Sequence, residues 1–469
     1  MAQGGQIYDM DNVEPWNPKD FKLTAEDGTQ YYLQEGKGIV QVKDAYGNTL
    51  TYGTSGIVHS AGQSVAFQRD AKGRITRITD PAGKAIVYTY NANGDLASVT
   101  NRNNETAYFR YNRSHGLVDF TDPRGVLMLR NVYDDEGRLI AQYDAAGNKV
   151  ELSHDTASQK ETVKNRRGYS TTYTYDANGD VTGVLDALGN TTRYTYDALG
   201  NETSTTDPLG NAVTRTFNAT TGKQLTETDA LGNTRSFGYS GYKLTSTTDP
   251  LGHVTSYGYR GEVPTSVTEP LGRVTAIGYS SSGNINSLSI AGQTTTYGYD
   301  AQGNRISETD AAGNVTTYTY DGNGHETARS YQRTTAAGTL ETITLTRVVD
   351  SEGRVIEESD ALGGITRTSY NSAGKPTQVT DALGRATQFS YDAQARLIAT
   401  RYPDGTGESI AYDANGNEVE RSDRAGRTTR QVFDALDRLV QTVYPDGSSE
   451  ATEYDAAGRP VRTTYADET

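Results

Sequence analysis

The residues of this chain most able to do chemistry are its carboxylates, 59 Asp and Glu against 44 Lys and Arg, and they stand at regular corners. Asp80-Pro-Ala-Gly, Asp122-Pro-Arg-Gly, Asp207-Pro-Leu-Gly and Asp249-Pro-Leu-Gly each place one Asp three residues ahead of a Gly. A calcium loop needs several carboxylates within one short stretch, and the D-x-D-x-D-G and G-G-x-G-x-D spacings are absent. An isolated Asp at such a corner instead accepts hydrogen bonds from the turn it opens. Asp9, Asp11 and Glu14 come nearest to a cluster and read as a flexible acidic terminus. The five histidines, His59, His115, His154, His253 and His325, share no spacing that would hold zinc or pair a general base with a nucleophile. No G-x-S-x-G nucleophile elbow is present. Cys is absent, which removes disulfides and thiolate metal sites. The expectation is a non-enzymatic chain with no catalytic, cofactor-binding or metal-binding residue.

Tyrosine offers a second kind of chemistry. The chain has 33 Tyr against 8 Phe and 1 Trp, and many stand two apart: Tyr88/Tyr90, Tyr173/Tyr175, Tyr194/Tyr196, Tyr257/Tyr259, Tyr297/Tyr299 and Tyr318/Tyr320. Rows of exposed rings could stack sugars, which makes a cell-surface adhesion or carbohydrate-binding module the alternative function. Rings packing the sheet as cross-strand ladders, each contact worth roughly 0.2–1 kcal/mol, are the better expectation.

These residues are positioned by a repeat of about 21 residues. TTYTYDANGD (171–180), TRYTYDALGN (192–201), TTYTYDGNGH (316–325) and TQFSYDAQAR (387–396) are one segment written four times. In Thr191 to Gly210 the run TTRYTY alternates and is rich in the residue types that suit a half-buried strand. Asp197-Ala-Leu-Gly and Asp207-Pro-Leu-Gly then read as type I turns closing into a bulge glycine. One unit is therefore two strands of about six residues with a first turn after Tyr-Asp and a second turn before the next Thr-Tyr strand.

The Tyr-Asp slot can be followed through Asp70, Asn91, Asn112, Asp134, Asp155, Asp176, Asp197 and Asn218 at intervals of 21 or 22. At His154-Asp155 a histidine takes the tyrosine position. The period shortens to 20 near Arg260 and Ser280, jumps by 29 before Asp350, and returns to 21 through Asp455. The jump predicts an extended hairpin near 328–348. Residues 67–469 thus form an array of about nineteen units, and residues 1–66 read as divergent first repeats or a cap over the first edge strand. Some 38 strands at roughly 4.8 Å each would give a contour of about 180 Å, close to one circuit about 60 Å across.

Composition narrows the partners. A net charge of −15 argues against nucleic acid, whose binding needs a basic stripe. No apolar stretch is long enough to span a membrane as a helix. The opening residues lack the basic and apolar regions of a secretory signal.

The chain resembles the Rhs/YD-repeat family of bacterial polymorphic toxins, toxin-complex shells and animal teneurins. The resemblance rests on FQRDAKGRITRITDPAGKAIVYTYNANGDL (67–96) and YDANGDVTGVLDALGNTTRYTYDALGN (175–201), and extends over nearly the whole chain. It implies an all-β fold of tandem antiparallel hairpins in a long curved ribbon or partial hollow spiral shell. It further implies a structural segment that encapsulates or carries a toxic payload absent from this chain. The partners would be the remaining shell, a core region and the payload, in a secreted or surface setting; separately, unpaired backbone on the terminal strands predicts self-association through edge strands unless caps cover them. The family's core region with its self-cleaving aspartyl site has no match here, since YDAAGRPVRTTYADET (454–469) is still repeat.

Overall fold

The computed structural model describes residues 19–465. Asp9, Asp11, Glu14 and Trp16 lie outside the described residues. Two compact units are present. The first takes residues up to Ala85 with Ser240–Thr245 and Thr255–Thr342; the second takes Ile86–Tyr239, Ser246–Val254 and residues from Ile343 onward.

Both units are built from antiparallel strands in chain order, and the described residues hold 43 of them. Five lie between Asp20 and His59, ahead of the array, which is why the number exceeds the 38 expected from nineteen units. Strands of five and six residues alternate over most of the array, as in Thr191–Tyr196 followed by Glu202–Thr206. Arg193 pairs with Thr206, Tyr194 with Thr205 and Thr195 with Ser204, and the register then slips at Tyr196. The slip is the expected bulge. Asp197 N–H donates to Asn201 O at 2.9 Å, Gly200 N–H returns to Asp197 O at 3.1 Å, and Gly200 takes φ +80°. Only a left-handed residue closes that turn without strain.

Where the period shortens, the turn chemistry changes. Gly241 at φ +61° joins Thr234–Ser240 to Lys243–Thr248, and Gly261 at φ +61° joins Val254–Arg260 to Val263–Thr268. Each is a two-residue hairpin with glycine first, which has no room for the five-residue bulge turn. The 29-residue interval holds the longest strands, Glu326–Thr334 and Leu340–Val349, around a turn at Thr335–Thr339.

Burial is shallow. In TTRYTY, Tyr194 and Tyr196 are half-covered while Arg193 and Thr195 face solvent, and the same alternation marks AVTRTF, ATQFSY and TTRQVF. Ala141 and Ile343 are the hydrophobic residues that reach full burial among the described ones. A sheet with so little core must draw its order from polar contacts between hairpins.

Tyrosine supplies one of these contacts, and it is not the ring ladder expected from the sequence. The tyrosine that ends many of these strands donates its hydroxyl to a backbone carbonyl of the preceding hairpin: Tyr196 to Val181 O at 2.9 Å, Tyr320 to Arg305 O at 2.7 Å, Tyr370 to Val355 O at 2.8 Å and Tyr412 to Leu397 O at 2.9 Å. The ring also receives a guanidinium, with Arg354 over Tyr370, Arg396 over Tyr412 and Arg438 over Tyr454 at 4.6–5.0 Å. Each of these arginines is fixed by the aspartate of its own turn, Arg396 Nε to Asp392 Oδ2 being 2.7 Å. Tyrosine rather than phenylalanine fills the slot because its hydroxyl staples one hairpin to the next.

His154 tests this rule. Standing in the tyrosine slot, it sets Nε2 2.8 Å from Leu139 O and Nδ1 2.6 Å from Glu161 Oε2. Both neighbours are acceptors, so only the doubly protonated ring can donate to both. The Glu161 carboxylate and the Leu139 carbonyl accordingly raise the His154 pKa above its ordinary value. A raised folded-state pKa stabilises fully below the unfolded pKa of about 6.5 and loses that contribution as pH rises through the folded value. Amide protection in the hairpin Lys149–Lys164, normalised for intrinsic exchange, is expected to fall as pH rises through that window. In His154→Tyr the fall should vanish while the staple to Leu139 persists; an unchanged fall in that variant would rule out His154 as its source.

Candidate functional site: where one turn row meets another

The turns fall into two rows, one along each edge of the ribbon. The first-turn row follows the Tyr-Asp strands, and the second-turn row holds Asp44, Asp80, Asn101, Asp122, Asp144, Asn165, Asp186, Asp207 and their successors. Many of these turns are made rigid by a leading carboxylate or amide. Asp197 Oδ1 accepts from Leu199 N–H at 2.9 Å and Asn201 N–H at 3.0 Å, while Asn201 Nδ2 donates to Oδ2 at 2.9 Å. The Asn201 amide and backbone hold the Asp197 carboxyl below its usual pKa. A carboxylate bonded in this way, such as Asp197, is committed to its own turn, in keeping with its isolated place in the sequence.

The histidines are occupied in the same local way. His253 and His325 follow the turn glycine and bond the aspartate of their own turn, Asp249 and Asp321, at 2.8 and 2.9 Å. His115 sits in the glycine slot at φ +63° and bonds Asp95 of the neighbouring turn. His59 Nδ1 accepts from Ala61 N–H at 3.1 Å. Among the described residues no group of three or more His, Asp or Glu is placed to hold a metal ion. None of the described histidines is brought beside another or beside an activated nucleophile.

What the fold does bring together is a pair of turn rows far apart in the chain. In the first unit, Asn48 Nδ2 donates to Ser282 O at 2.8 Å across 234 residues. Tyr46 lies against Gly283, and its ring centroid stands 6.0 Å from that of Tyr279. The Tyr46 hydroxyl is buried without a hydrogen-bond partner, so its ring and not its oxygen makes the contact. Further along, Ala82 N–H donates to Asn323 Oδ1 at 3.1 Å, and Asn323 Nδ2 returns to Asp80 Oδ2 at 3.1 Å.

The second unit repeats the arrangement with charge. Arg102 N–H donates to Glu352 Oε1 at 2.6 Å, and Asn103 Nδ2 to Asp350 Oδ2 at 3.0 Å. Arg124 is oriented by buried Asp122, its Nε 2.6 Å from Oδ2, and aims its two terminal nitrogens at Asp392 O and Ala393 O, 3.2 and 2.7 Å away. Arg167 makes the fullest contact. Nη1 donates to Asp434 O and Asp437 Oδ1 at 2.7 Å each, Nη2 to Phe433 O at 2.8 Å, and Nε lies 3.3 Å from Asp413 Oδ2. Its side chain keeps only 16% of its exposure.

Asp437 occupies a bulge slot that glycine normally takes, at φ +59°. A carboxylate tolerated at that cost in conformation is there for its contacts. It accepts from Arg167, from Asn415 Nδ2 at 2.8 Å and from Asn417 Nδ2 at 2.7 Å. Burial opposes its ionisation, but Arg167 and the two amides prevail and hold the carboxyl below its ordinary pKa.

One position recurs in these contacts: the third residue of the second turn, Tyr46, Ala82, Asn103, Arg124 and Arg167. It reaches into the first-turn row some 240–270 residues later. Sequence reasoning passed over this residue because the turn motif leaves it variable. Its signal was that the slot carries Tyr, Asn and Arg early in the chain and Leu later. Chemically the arrangement is a dock, with donors aimed at carbonyls and carboxylates that are already held.

A family model described as RHS Repeat matches residues 69–106, 175–212, 279–315, 299–339, 349–386, 370–406, 412–449 and 433–469, together more than half of the chain. Among solved structures, a TcdB2-TccC3-TEV crystal structure is similar with TM-score 0.58 and 13% identity, over 99% of this chain and 28% of that one. TcdB2-TccC3 without its hypervariable C-terminal region gives 0.53 and 15%, over 88% and 27%. A Tc holotoxin pore from Photorhabdus luminescens gives 0.50 and 14%, over 93% and 29%. At such identities the likeness is one of fold, and the chain spans little more than a quarter of each structure it matches. Among curated proteins nothing matches.

Proposed function

The chain belongs to the RHS repeat family, and from that premise we propose that it is a non-enzymatic wall segment of a toxin-system shell, one that encloses or carries a payload supplied by another part of the assembly. The observation that carries this reading is the docking of second turns onto first turns within each unit. In each unit the second turns meet first turns 23 or 25 strands farther along the chain, so turn-to-turn contacts add to the hydrogen bonds of the sheet in holding a wall together. The fold likeness to TcdB2-TccC3 supports the same reading.

Such a wall needs shape and not reactivity, in keeping with carboxylates and histidines that hold turns and hairpins in place. Its partners are then the rest of the shell, a core region and the payload, and its setting is secreted or surface-associated. The glycan-binding alternative loses its motive, because the paired Tyr rings are half-covered and staple hairpins together. Small-angle scattering with contrast variation on the isolated chain should give a pair-distance distribution with a hollow interior. A solid compact particle of the same mass would overturn the proposal.

A further inference from the structure

Four asparagines stand directly before a glycine, all in first turns: Asn93-Gly94, Asn178-Gly179, Asn323-Gly324 and Asn415-Gly416. This dipeptide is the one most prone to spontaneous deamidation, because glycine leaves the backbone nitrogen open to the side-chain amide before it. Asn93 and Asn178 lie exposed on their turns. Asn323 and Asn415 are half-buried, and each gives its amide to a carboxylate. Asn323 is the one that holds two distant turns together. Its Nδ2 donates to Asp80 Oδ2 at 3.1 Å, and its Oδ1 accepts from Ala82 N–H at 3.1 Å.

Loss of ammonia from Asn323 would reverse the sense of that contact. The oxygen that replaces Nδ2 cannot donate, and it stands at hydrogen-bonding distance from a second carboxylate, where like charges repel. The same geometry delays the reaction. The Gly324 nitrogen, which must attack Asn323 Cγ, donates its proton to Asp321 O at 3.1 Å, and the side chain it must reach is pinned at both ends by Asp80 and Ala82. Reaction therefore needs the turn to open. A minor open state holds about 0.1–10% of a population, so docking slows the step about ten- to a thousandfold.

We propose that Asn323 is a deamidation site which docking protects and which, once converted, keeps the junction of the first unit from forming again. The step needs only water and solvent base. The Gly324 nitrogen loses its proton to that base and bonds to Asn323 Cγ, the Cγ–Nδ2 bond breaks, and Nδ2 leaves as ammonia. Water then opens the five-membered imide at either carbonyl, leaving aspartate or isoaspartate. Aspartate sets a carboxylate opposite Asp80. Isoaspartate adds a methylene to the backbone of a turn that Gly324 closes at φ +83°. A junction that stays closed keeps its asparagine, whereas one that opens for long is made unable to close. The inference concerns the junction alone and does not rest on the toxin-shell reading.

Peptide mapping of the full chain, held in mildly alkaline buffer, tests the protection. Deamidated peptide should accumulate at Asn93 and Asn178 about tenfold or more faster than at Asn323, and in urea the three should convert at similar rates. Conversion of Asn323 as fast as Asn178 in the folded chain would overturn the proposal. Native-state amide exchange on variants tests the consequence. Asn323→Asp should lose protection at 80–84 and 321–325, while Asn178→Asp, the same change on an exposed turn, should keep the wild-type pattern. Asp80→Asn/Asn323→Asp should recover that protection, because donor and acceptor are then exchanged and the pair can bond again. An asparagine can still cap the second turn from that position, as Asn101 and Asn165 do. An Asn323→Asp chain with wild-type protection at 80–84, or a double variant that fails to recover it, would overturn the proposal.

Discussion

Replacing Arg167 by alanine is expected to free the turns Asp413–Asn417 and Asp434–Arg438 from the second turn at Asn165 and to produce one of the largest losses of stability of any single change in the second unit. The guanidinium donates to two carbonyls and to Asp437, and stands beside Asp413, all in a site where it is mostly covered. Its removal leaves carbonyls without their donor and two carboxylates near each other with less compensation. Breaking a covered, hydrogen-bonded charge pair by removing one partner costs about 2–4 kcal/mol, most of it the penalty on the group left behind. Lysine should restore little of this, because one ammonium cannot supply the forked geometry that reaches Phe433 O, Asp434 O and Asp437 together.

The measurement is native-state amide exchange, which resolves local opening in an array where a single midpoint does not. Protection at 413–438 should drop in Arg167→Ala and stay unchanged in the hairpins around Tyr194 and Tyr196. The pH dependence has a defined sign. Asp437 has a lowered folded pKa, so its contribution is present above the unfolded value near 4 and is lost as pH falls through the folded one. Exchange at the junction should therefore accelerate in acid for the wild-type chain and show a weaker acid response in Arg167→Ala. Equal acid responses in the two proteins would remove Asp437 from the account.

Much of this architecture was legible in the residues. The alternation in TTRYTY and the Asp-x-x-Gly corners specify strands, turns and bulges, because each depends on neighbours a few positions away. The role of tyrosine was only half legible. The paired spacing places both rings on one face, but whether rings meet each other or a hydroxyl reaches a carbonyl depends on the offset between hairpins. His154 carried that information in advance, as a histidine replaces tyrosine most readily where hydrogen bonding is the slot's purpose. The docking row was the least legible part. Its contacts join residues more than 230 positions apart, and the turn motif leaves the third corner position variable. The shift from Tyr46, Asn103, Arg124 and Arg167 to Leu188, Leu209, Leu231 and Leu251 was visible, yet without an offset nothing says what faces that position.

Gly283 gives the second large effect, and Gly313 provides its internal control. Both lie in the first unit in turns of the same kind, with φ +86° and +87°, so an alanine at either pays the same left-handed penalty of about 1–2 kcal/mol. Their surroundings differ. A Cβ at Gly313 meets open space, whereas one at Gly283 would stand 2.4 Å from Cδ2 and 2.7 Å from Cγ of Tyr46. Those atoms are the root of a ring and not a flexible tip, so the ring must leave its place beside Tyr279 or the turn must shift and strain the Asn48 bond to Ser282 O. Overpacking of this type adds about 1–3 kcal/mol. Gly283→Ala should therefore destabilise the unit clearly more than Gly313→Ala, read as loss of amide protection at 44–48 and 280–284. The cycle with Tyr46→Ala separates the two terms. Once the ring is gone, Gly283→Ala should cost no more than Gly313→Ala, because only the backbone conformation remains to be penalised. If the two alanine substitutions cost the same with Tyr46 in place, the ring does not seat on that turn, and the junction in the first unit rests on the hydrogen bonds of Asn48, Asp80, Ala82 and Asn323.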